Sequence, residues 1–175
     1  MIVRITDIKP HPKNSEIYDL SNIDDLVESI KEVGLLQPII INNHNQILSG
    51  HRRFESIKRL GWEEVEVEIK DVKDDEVDLF LVHFNKQRIK SNKEILAEYD
   101  ILENHFDNKQ GLRTDLTSVS RNISYSKRDE ISSKIGVSSS SLGRLLFIRK
   151  HNSELIKMID RGVLTIRQSY LQTQR

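Results

Sequence analysis

ILSGHRRFESIKRLG (residues 47–61) contains, in order, a short apolar run, a glycine, two adjacent arginines and an amphipathic pattern. Phe54, Ile57 and Leu60 recur at the spacing of one face of an α-helix, which predicts a helix that begins after Gly50 and ends at the next glycine. The apolar residues before Gly50 predict a short strand. A strand that turns through a glycine into a helix indicates an α/β unit.

The start of this predicted helix has the composition of an anion-binding site. A helix N-terminus presents N–H groups without intrahelical partners and the positive end of the helix dipole, so it favours phosphate. Gly50 permits a close backbone approach, and Arg52 and Arg53 carry fork-shaped donors that match phosphate oxygens. The alternative is that Arg52, Arg53, Lys58 and Arg59 form one solvated helix face, and residue types alone favour neither interpretation.

Another helix is predicted upstream of this stretch. Its apolar positions follow a spacing of three or four residues, and they are Ile23, Leu26, Val27, Ile30 and Val33. Ser21 and Asp24 match a capping box at its start, and Gly34 is a stop signal.

Two further patterns predict a sheet. Apolar runs at residues 38–41 and 46–48 surround an Asn-rich turn, which is typical of a β-hairpin. Residues 64–69 alternate glutamate with valine or isoleucine, the period of a strand with one solvated face. Residues 1–72 are therefore interpreted as a compact α/β unit.

The rest of the chain has helical patterns. Asn92 is predicted to cap a helix whose apolar face comprises Ile95, Leu96, Tyr99, Leu102 and Phe106. Residues 107–124 are polar and aperiodic, which predicts a loop or linker. A capping box at Ser126 and Asp129, a stop at Gly136 and a further helix with Leu142, Leu145, Leu146 and Ile148 match a helix-turn-helix at about 126–150. Two short helical patterns follow, around 155–159 and from 165.

Composition separates the chain into two halves of opposite charge. Residues 1–83 hold 10 Lys/Arg and 17 Asp/Glu, and residues 84–175 hold 17 and 10, although the whole chain has 27 of each. A basic C-terminal half predicts contact with nucleic acid, because phosphates attract it whatever their sequence. The chain has no cysteine, which excludes disulfides, thiolate chemistry and Cys-ligated zinc. Without a signal peptide or an apolar run of membrane-spanning length, we expect a cytosolic protein with no membrane contact.

Ordered motifs along almost the whole chain resemble the ParB family of DNA-partition proteins, within the ParB/sulfiredoxin superfamily. The matching segments are IDDLVESIKEVGLLQPIII (23–41), ILSGHRRFESIKRLG (47–61), VEVEI (65–69), FNKQR (84–88), DEISSKIGVSSSSLGRLL (129–146) and MIDRGVLTIRQSYL (158–171). The resemblance implies an α+β fold: a small mixed-sheet ParB/sulfiredoxin-like domain at 1–90, followed by an all-α helix-turn-helix domain at 91–175.

The resemblance also implies a pocket for CTP, or another nucleotide, with Mg²⁺. Its implied binding residues are Gln37, Pro38, Gly50, His51, Arg52, Arg53, Asn85 and Arg88, with Asn85 beside the metal. Three departures from the family pattern predict weak or absent hydrolysis. His51 and Phe84 stand where the family usually has glutamate, and IKPHPKN (8–14) lacks the family's Gln-Pro-Arg segment. A phenyl ring cannot replace a carboxylate as a magnesium ligand.

His51 has two interpretations. As a functional residue it binds a phosphate or acts as the candidate catalytic acid or base near neutral pH. As a structural residue it caps the start of the helix.

In a helix-turn-helix, the first turns of the second helix meet the base edges. Here those turns hold Ser138, Ser139, Ser140, Ser141 and Arg144, and Arg144 is the best candidate for reading a guanine. The predicted contacts to the DNA backbone are Lys127, Arg128, Lys134, Arg149 and Lys150. The alternative for the serine run is a low-complexity loop.

Three functions are consistent with these patterns. The first is a nucleotide-controlled, ParB-like protein that binds double-stranded DNA as a homodimer, acts in plasmid, phage or chromosome partition on the nucleoid, and works with a partition ATPase or another protein. The second is a helix-turn-helix transcriptional regulator without nucleotide binding. The third is an enzyme: a weak CTPase, a ParB-like nuclease or a small-molecule kinase.

Overall fold

The computed structural model describes residues 1–20, 22–110 and 127–174, except the side chains of 108–110. Its elements are, in order, β1 (Ile2–Arg4), a 3-10 turn (Ile5–Asp7), α1 (Pro12–Ile17), α2 (Asp24–Val33), β2 (Ile39–Ile41), β3 (Ile47–Ser49), α3 (His51–Arg59), β4 (Glu64–Ile69), α4 (Val77–Phe84), α5 (Asn92–Gln110), α6 (Lys127–Ile135), α7 (Ser139–His151), α8 (Glu154–Asp160) and α9 (Ile166–Thr173). The predicted α+β class is confirmed.

The chain divides into two compact units, which we call the N-terminal unit (Met1–Asn85) and the C-terminal unit (Lys86–Arg175). The limits predicted from the sequence, 1–90 and 91–175, lie a few residues later. No described helix combines the length and the apolar character needed to cross a bilayer.

The N-terminal unit contains a four-stranded mixed sheet with the order β1-β4-β2-β3. β4 pairs antiparallel with β1, Val65 opposite Val3, and parallel with β2, Val67 opposite Ile39. β2 and β3 form the predicted antiparallel hairpin, so that prediction is confirmed. The apolar faces of the strands pack with Ile30, Phe54 and Ile57 from α2 and α3 in one core. This core fixes the start of α3 directly after β3.

Three details of the N-terminal prediction are wrong. α2 begins at Asp24 with Ile23 at the N-cap position and no side-chain cap bond, while Ser21 lies outside the described residues. Val33, placed by its spacing on the buried face, is 59% exposed in the last turn of α2. Ile69, the last residue of β4, is also 41% exposed, whereas Val65 and Val67 of the same strand are buried.

In the C-terminal unit α5 contacts α6, α7 and α8, and α7 contacts α9. The α5 cap is one residue earlier than predicted: Ser91 Oγ accepts from the Glu94 N–H, and the Glu94 carboxylate accepts from the Ser91 N–H. The loop predicted at 107–124 begins too early, because α5 continues to Gln110. The remainder of that loop and the capping residue Ser126 lie outside the described residues.

The C-terminal unit buries an ion pair. The Lys90 side chain is 4% exposed and that of Glu98 is 0% exposed, and Lys90 Nζ lies 2.7 Å from Glu98 Oε2. The same ammonium donates to the Ile135 carbonyl at 3.0 Å. Lys90 therefore connects α5 to the C-terminal end of α6.

Two candidate phosphate-binding surfaces

The first candidate surface is the start of α3. Gly50 occupies the N-cap position with φ +103°, and no side chain caps the helix there. A Cβ at Gly50 would lie 3.2 Å from Arg53 Nη2 and 3.3 Å from Arg53 Cζ. Both the positive φ and this close contact favour glycine. The first-turn N–H groups of α3 thus have neither an intrahelical partner nor a side-chain cap.

Arg53 lies against the two residues that lead into β2. Its Nη1 donates to the carbonyls of Gln37 and Pro38, each at 2.7 Å. Arg53 and Gln37 also line a cavity of about 220 Å³ with Leu26, Ser29, Ile30, Gly34, Leu35 and Leu36. Four predicted site residues, Gln37, Pro38, Gly50 and Arg53, are therefore in one place, and burial lowers the pKa of the Arg53 guanidinium.

The solvated-face alternative applies to part of α3. Arg52, Lys58 and Arg59 are exposed, whereas Arg53 is half-buried. Arg52 Nη2 donates to the Asn22 carbonyl at 2.8 Å, and Arg59 Nη1 lies 2.9 Å from Asp24 Oδ1. The two adjacent arginines therefore have different surroundings, a difference that residue type does not reveal.

His51 is buried, with 6% of its surface exposed. Its Nε2 accepts a hydrogen bond of 3.1 Å from the backbone N–H of His11. Burial, and after it the nearby His11, lowers the pKa of His51 to about 3. The imidazole is thus neutral at pH 7, which contradicts the predicted acid or base near neutral pH. The helix-capping interpretation is also wrong, because Gly50 holds the N-cap position.

The loop beneath His51 is fixed by a network that the sequence patterns did not predict. His11 Nδ1 accepts from the Lys13 N–H at the start of α1, and His11 Nε2 lies 3.3 Å from Asp78 Oδ1 on α4. Lys13 Nζ contacts the other Asp78 oxygen at 2.5 Å. The hydrogen bond from His11, followed by Lys13, lowers the pKa of Asp78 to about 2. The start of α3 is thereby tied to α1 and α4.

Asn85 is not among the residues that line the cavity beside Arg53. Asn85 ends α4, and its Nδ2 donates to the Leu81 carbonyl at 2.8 Å. Arg88 belongs to the C-terminal unit, where Nη2 lies 3.2 Å from Glu94 Oε1. Within the described residues, no group of three or more His, Cys, Asp or Glu is arranged to hold a metal ion.

The second candidate surface is the start of α7. α6 and α7 are joined by a turn at residues 136–138, in which Gly136 has φ +89°. Ser138 is the N-cap of α7, and its Oγ accepts from the Ser141 N–H. Ser139, Ser140 and Ser141 form the first turn of α7, so the alternative of a low-complexity loop is wrong.

Two arginines lie beside this first turn. A cleft of about 360 Å³ is lined by Arg128, Ser139, Ser140, Gly143, Arg144, Phe147 and Tyr170. Arg128 Nε donates to Ser139 Oγ at 3.1 Å. Arg128 and Arg144 are exposed, so both guanidiniums are accessible from solvent. The cleft thus combines two positive charges, two serine hydroxyls, the Tyr170 hydroxyl and a helix N-terminus.

Two other predicted DNA-backbone cations, Arg149 and Lys127, face acidic partners. Arg149 Nη1 lies 2.8 Å from Asp100 Oδ2, and its guanidinium is 6.0 Å from the Tyr99 ring centroid. Lys127 Nζ contacts Asp107 and is 3.9 Å from Glu103. Each of these cations is partly neutralised within the C-terminal unit, which distinguishes them from Arg128 and Arg144.

Comparisons with known proteins give a family model and relatives that match part of this chain. The sequence model of the ParB N-terminal domain matches residues 1–82. The nucleoid occlusion protein of Bacillus cereus (strain B4264) is 33% identical over 110 residues, which cover 59% of this chain and 37% of that protein. The chain therefore aligns with little more than a third of this relative's length.

Two solved structures have a similar fold. A Pnob8-like ParB-N domain aligns with a TM-score of 0.70 and 16% identity over 97% of this chain and 77% of its own. The C-terminally truncated chromosome-partitioning protein ParB from Caulobacter crescentus, complexed to the centromeric parS site, aligns with a TM-score of 0.54 and 18% identity over 99% and 98%.

Proposed function

Because this chain carries a ParB N-terminal domain, we propose that it is a ParB-like DNA-binding protein that acts on nucleoid DNA in the cytoplasm. The observation that carries the proposal is the cleft at the start of α7, where Arg128 and Arg144 lie beside Ser139 and Ser140. Such a helix start can enter the major groove with its first turns against the bases. The positive charge of the C-terminal half, about +7, attracts the DNA backbone.

Two similar proteins support the same assignment. The Bacillus relative is a nucleoid occlusion protein, and the Caulobacter protein of similar fold was solved on its centromeric parS site. We propose partition or nucleoid occlusion as the process. Homodimerisation and binding of a partition ATPase or another protein remain part of this proposal.

Arg144→Ala tests DNA reading. If Arg144 contacts a base edge, the substitution is expected to reduce affinity for a specific site by about 1–3 kcal/mol and to relax selection at one position. Duplexes are first enriched from a random-sequence pool with the wild-type chain, and binding is then measured by fluorescence anisotropy on enriched and random DNA. Lys157→Ala, which removes a charge on α8 that pairs with Glu154, is the matched control. An equal loss on both DNAs would show that Arg144 contacts phosphate only.

We also propose that the N-terminal unit binds CTP or another nucleotide through its triphosphate at the start of α3. The uncapped N–H groups after Gly50 and the two arginines support phosphate binding there. The adjacent cavity of about 220 Å³ is smaller than the roughly 300–1,000 Å³ of typical ligand pockets. It therefore accommodates part of the nucleotide, with the phosphates outside it. Mg²⁺ is held mainly by phosphate oxygens, and hydrolysis is weak or absent.

Arg52→Ala tests this nucleotide site. We expect it to weaken nucleotide binding by about tenfold or more, since a hydrogen bond to a charged group contributes about 1.5–3 kcal/mol. Titration calorimetry with CTP, ATP, GTP and UTP in Mg²⁺ measures the effect. Arg59→Ala, on the same helix and paired with Asp24, is the control and should bind like the wild type.

If the wild type gives no heat with any nucleotide, the proposal reduces to DNA binding alone, which is the transcriptional-regulator alternative. The nuclease and kinase alternatives are favoured by no specific feature of the described residues.

A further inference from the structure

Gly143 is an unusual residue for its position. It lies inside the 13-residue helix α7, where glycine is a poor helix former. A Cβ at this position would lie 3.2 Å from Arg128 Nη1 and 3.6 Å from Arg128 Cζ. The Arg128 guanidinium therefore lies close to the helix backbone, and a Cβ at residue 143 would require it to shift by a few tenths of an ångström.

The orientation of Arg128 is fixed at a second point. Its Nε donates to Ser139 Oγ at 3.1 Å, in the first turn of α7. A guanidinium has five N–H donors in a rigid fork, and this bond uses one of them. Arg128, in the first turn of α6, thus lines the same cleft as Arg144 on α7.

Tyr170 of α9 also lines this cleft. Its ring centroid is 5.0 Å from that of Phe147, which fixes the position of the ring. Its hydroxyl accepts a hydrogen bond of 2.9 Å from Gln174 Nε2. Since this bond uses an oxygen lone pair, the hydroxyl proton can be donated to another group.

We propose that the cleft is a pocket for one backbone phosphate of DNA, bound by Arg128, Arg144 and the Tyr170 hydroxyl, and that Gly143 is the positioning residue that keeps the Arg128 fork in place. Phosphate suits this site because a planar guanidinium matches its oxygens. The inference rests on the proposed DNA binding and adds to it the ligand group, a contact from α9 and a reason for glycine inside α7.

The test compares Gly143→Ala, Arg128→Ala and the double variant of the full chain by DNA-binding isotherms at several salt concentrations. Gly143→Ala is expected to weaken binding about tenfold, as expected when a hydrogen bond is lost, and to lower the slope of log K against log salt by about 0.9, the value for one phosphate contact. In the Arg128→Ala background, Gly143→Ala should have no further effect. The Tm of the single Gly143→Ala variant should not fall below that of the wild type, because alanine is a better helix former than glycine.

Two results would overturn the proposal. One is unchanged DNA binding by Gly143→Ala. The other is an equal loss of affinity when Gly143→Ala is made in the wild type and in Arg128→Ala. That result would mean that Gly143 lets DNA contact the α7 backbone directly and does not position Arg128.

Tyr170→Phe and Arg128→Lys give an answer even if Gly143→Ala lowers the Tm. Tyr170→Phe removes only the hydroxyl, and Arg128→Lys keeps the charge but loses the planar fork. Each should weaken DNA binding several-fold, and unchanged binding by either rejects the pocket. Failure of the wild type to bind any DNA would instead reject the proposed function itself.

Discussion

Between pH 6.5 and pH 3 the free energy of unfolding of the N-terminal unit is expected to fall by about 4 to 5 kcal/mol through His51 alone. The pKa of His51 is about 3 in the folded chain against 6.5 for an ordinary histidine, and each unit of difference corresponds to about 1.36 kcal/mol. The unfolded state binds the proton first as the pH falls. The stabilisation is therefore complete above pH 6.5 and is lost progressively towards pH 3.

Urea unfolding followed by tryptophan fluorescence measures this change. The chain has a single tryptophan, Trp62, which lies in the N-terminal unit and is 36% exposed. His51→Gln is the matched variant. The glutamine side-chain oxygen can accept the hydrogen bond from the His11 N–H, but the amide group does not titrate. We expect the wild type to lose more stability than His51→Gln between pH 6.5 and pH 4.

The folded-state pKa of Asp78 is about 2 against 3.8, so Asp78 lowers stability only below about pH 4 and does so equally in both proteins. Both proteins also retain His11, so the comparison between them isolates the contribution of His51. Identical pH dependence of the wild type and His51→Gln would contradict the neutral, buried imidazole.

Lys90→Met is expected to destabilise the C-terminal unit by about 3–5 kcal/mol, the range for removing one partner of a buried ion pair. Methionine fills a similar volume but removes the ammonium that pairs with the fully buried Glu98 carboxylate. It also removes the donor to the Ile135 carbonyl, so the end of α6 loses this hydrogen bond. Chemical unfolding followed by circular dichroism gives the change, since this unit is helical.

Two controls identify the cause. Lys90→Met combined with Glu98→Leu should recover most of the stability, because replacing both charges by apolar groups is often neutral or stabilising. Lys157→Met disrupts an exposed pair with Glu154 and should change stability by less than about 1 kcal/mol. If Lys90→Met and Lys157→Met had equal effects, the buried pair would not be a major source of stability.

Features with local causes were predictable from the sequence. The helix after Gly50, the hairpin at β2 and β3, and the two helices around Gly136 each follow from apolar spacing and a turn residue close in sequence. α4 has no such signal, because VDLFLVHF is apolar at nearly every position and its period is obscured. Its Asp78 nevertheless completes the network beneath His51.

The surroundings of charged residues were not predictable in the same way. A count of cations cannot distinguish Arg149, which meets Asp100 on another helix, from Arg144, which lines the cleft. His51 has a motif position that suggests chemistry, but its environment depends on His11, forty residues earlier. Partners distant in sequence, and burial, determine these roles, and neither has a local pattern.

The pairing of β1 with β4 has a consequence for how the N-terminal unit is made. Val3 meets Val65, and β2 reaches the sheet through β4 as well. At a synthesis rate of about 5–20 residues per second, β1 leaves the ribosome several seconds before its neighbour exists. Throughout that interval the early strand can neither bury its valine nor satisfy its amides within the sheet, so assembly of this unit waits for translation of residues 64–69.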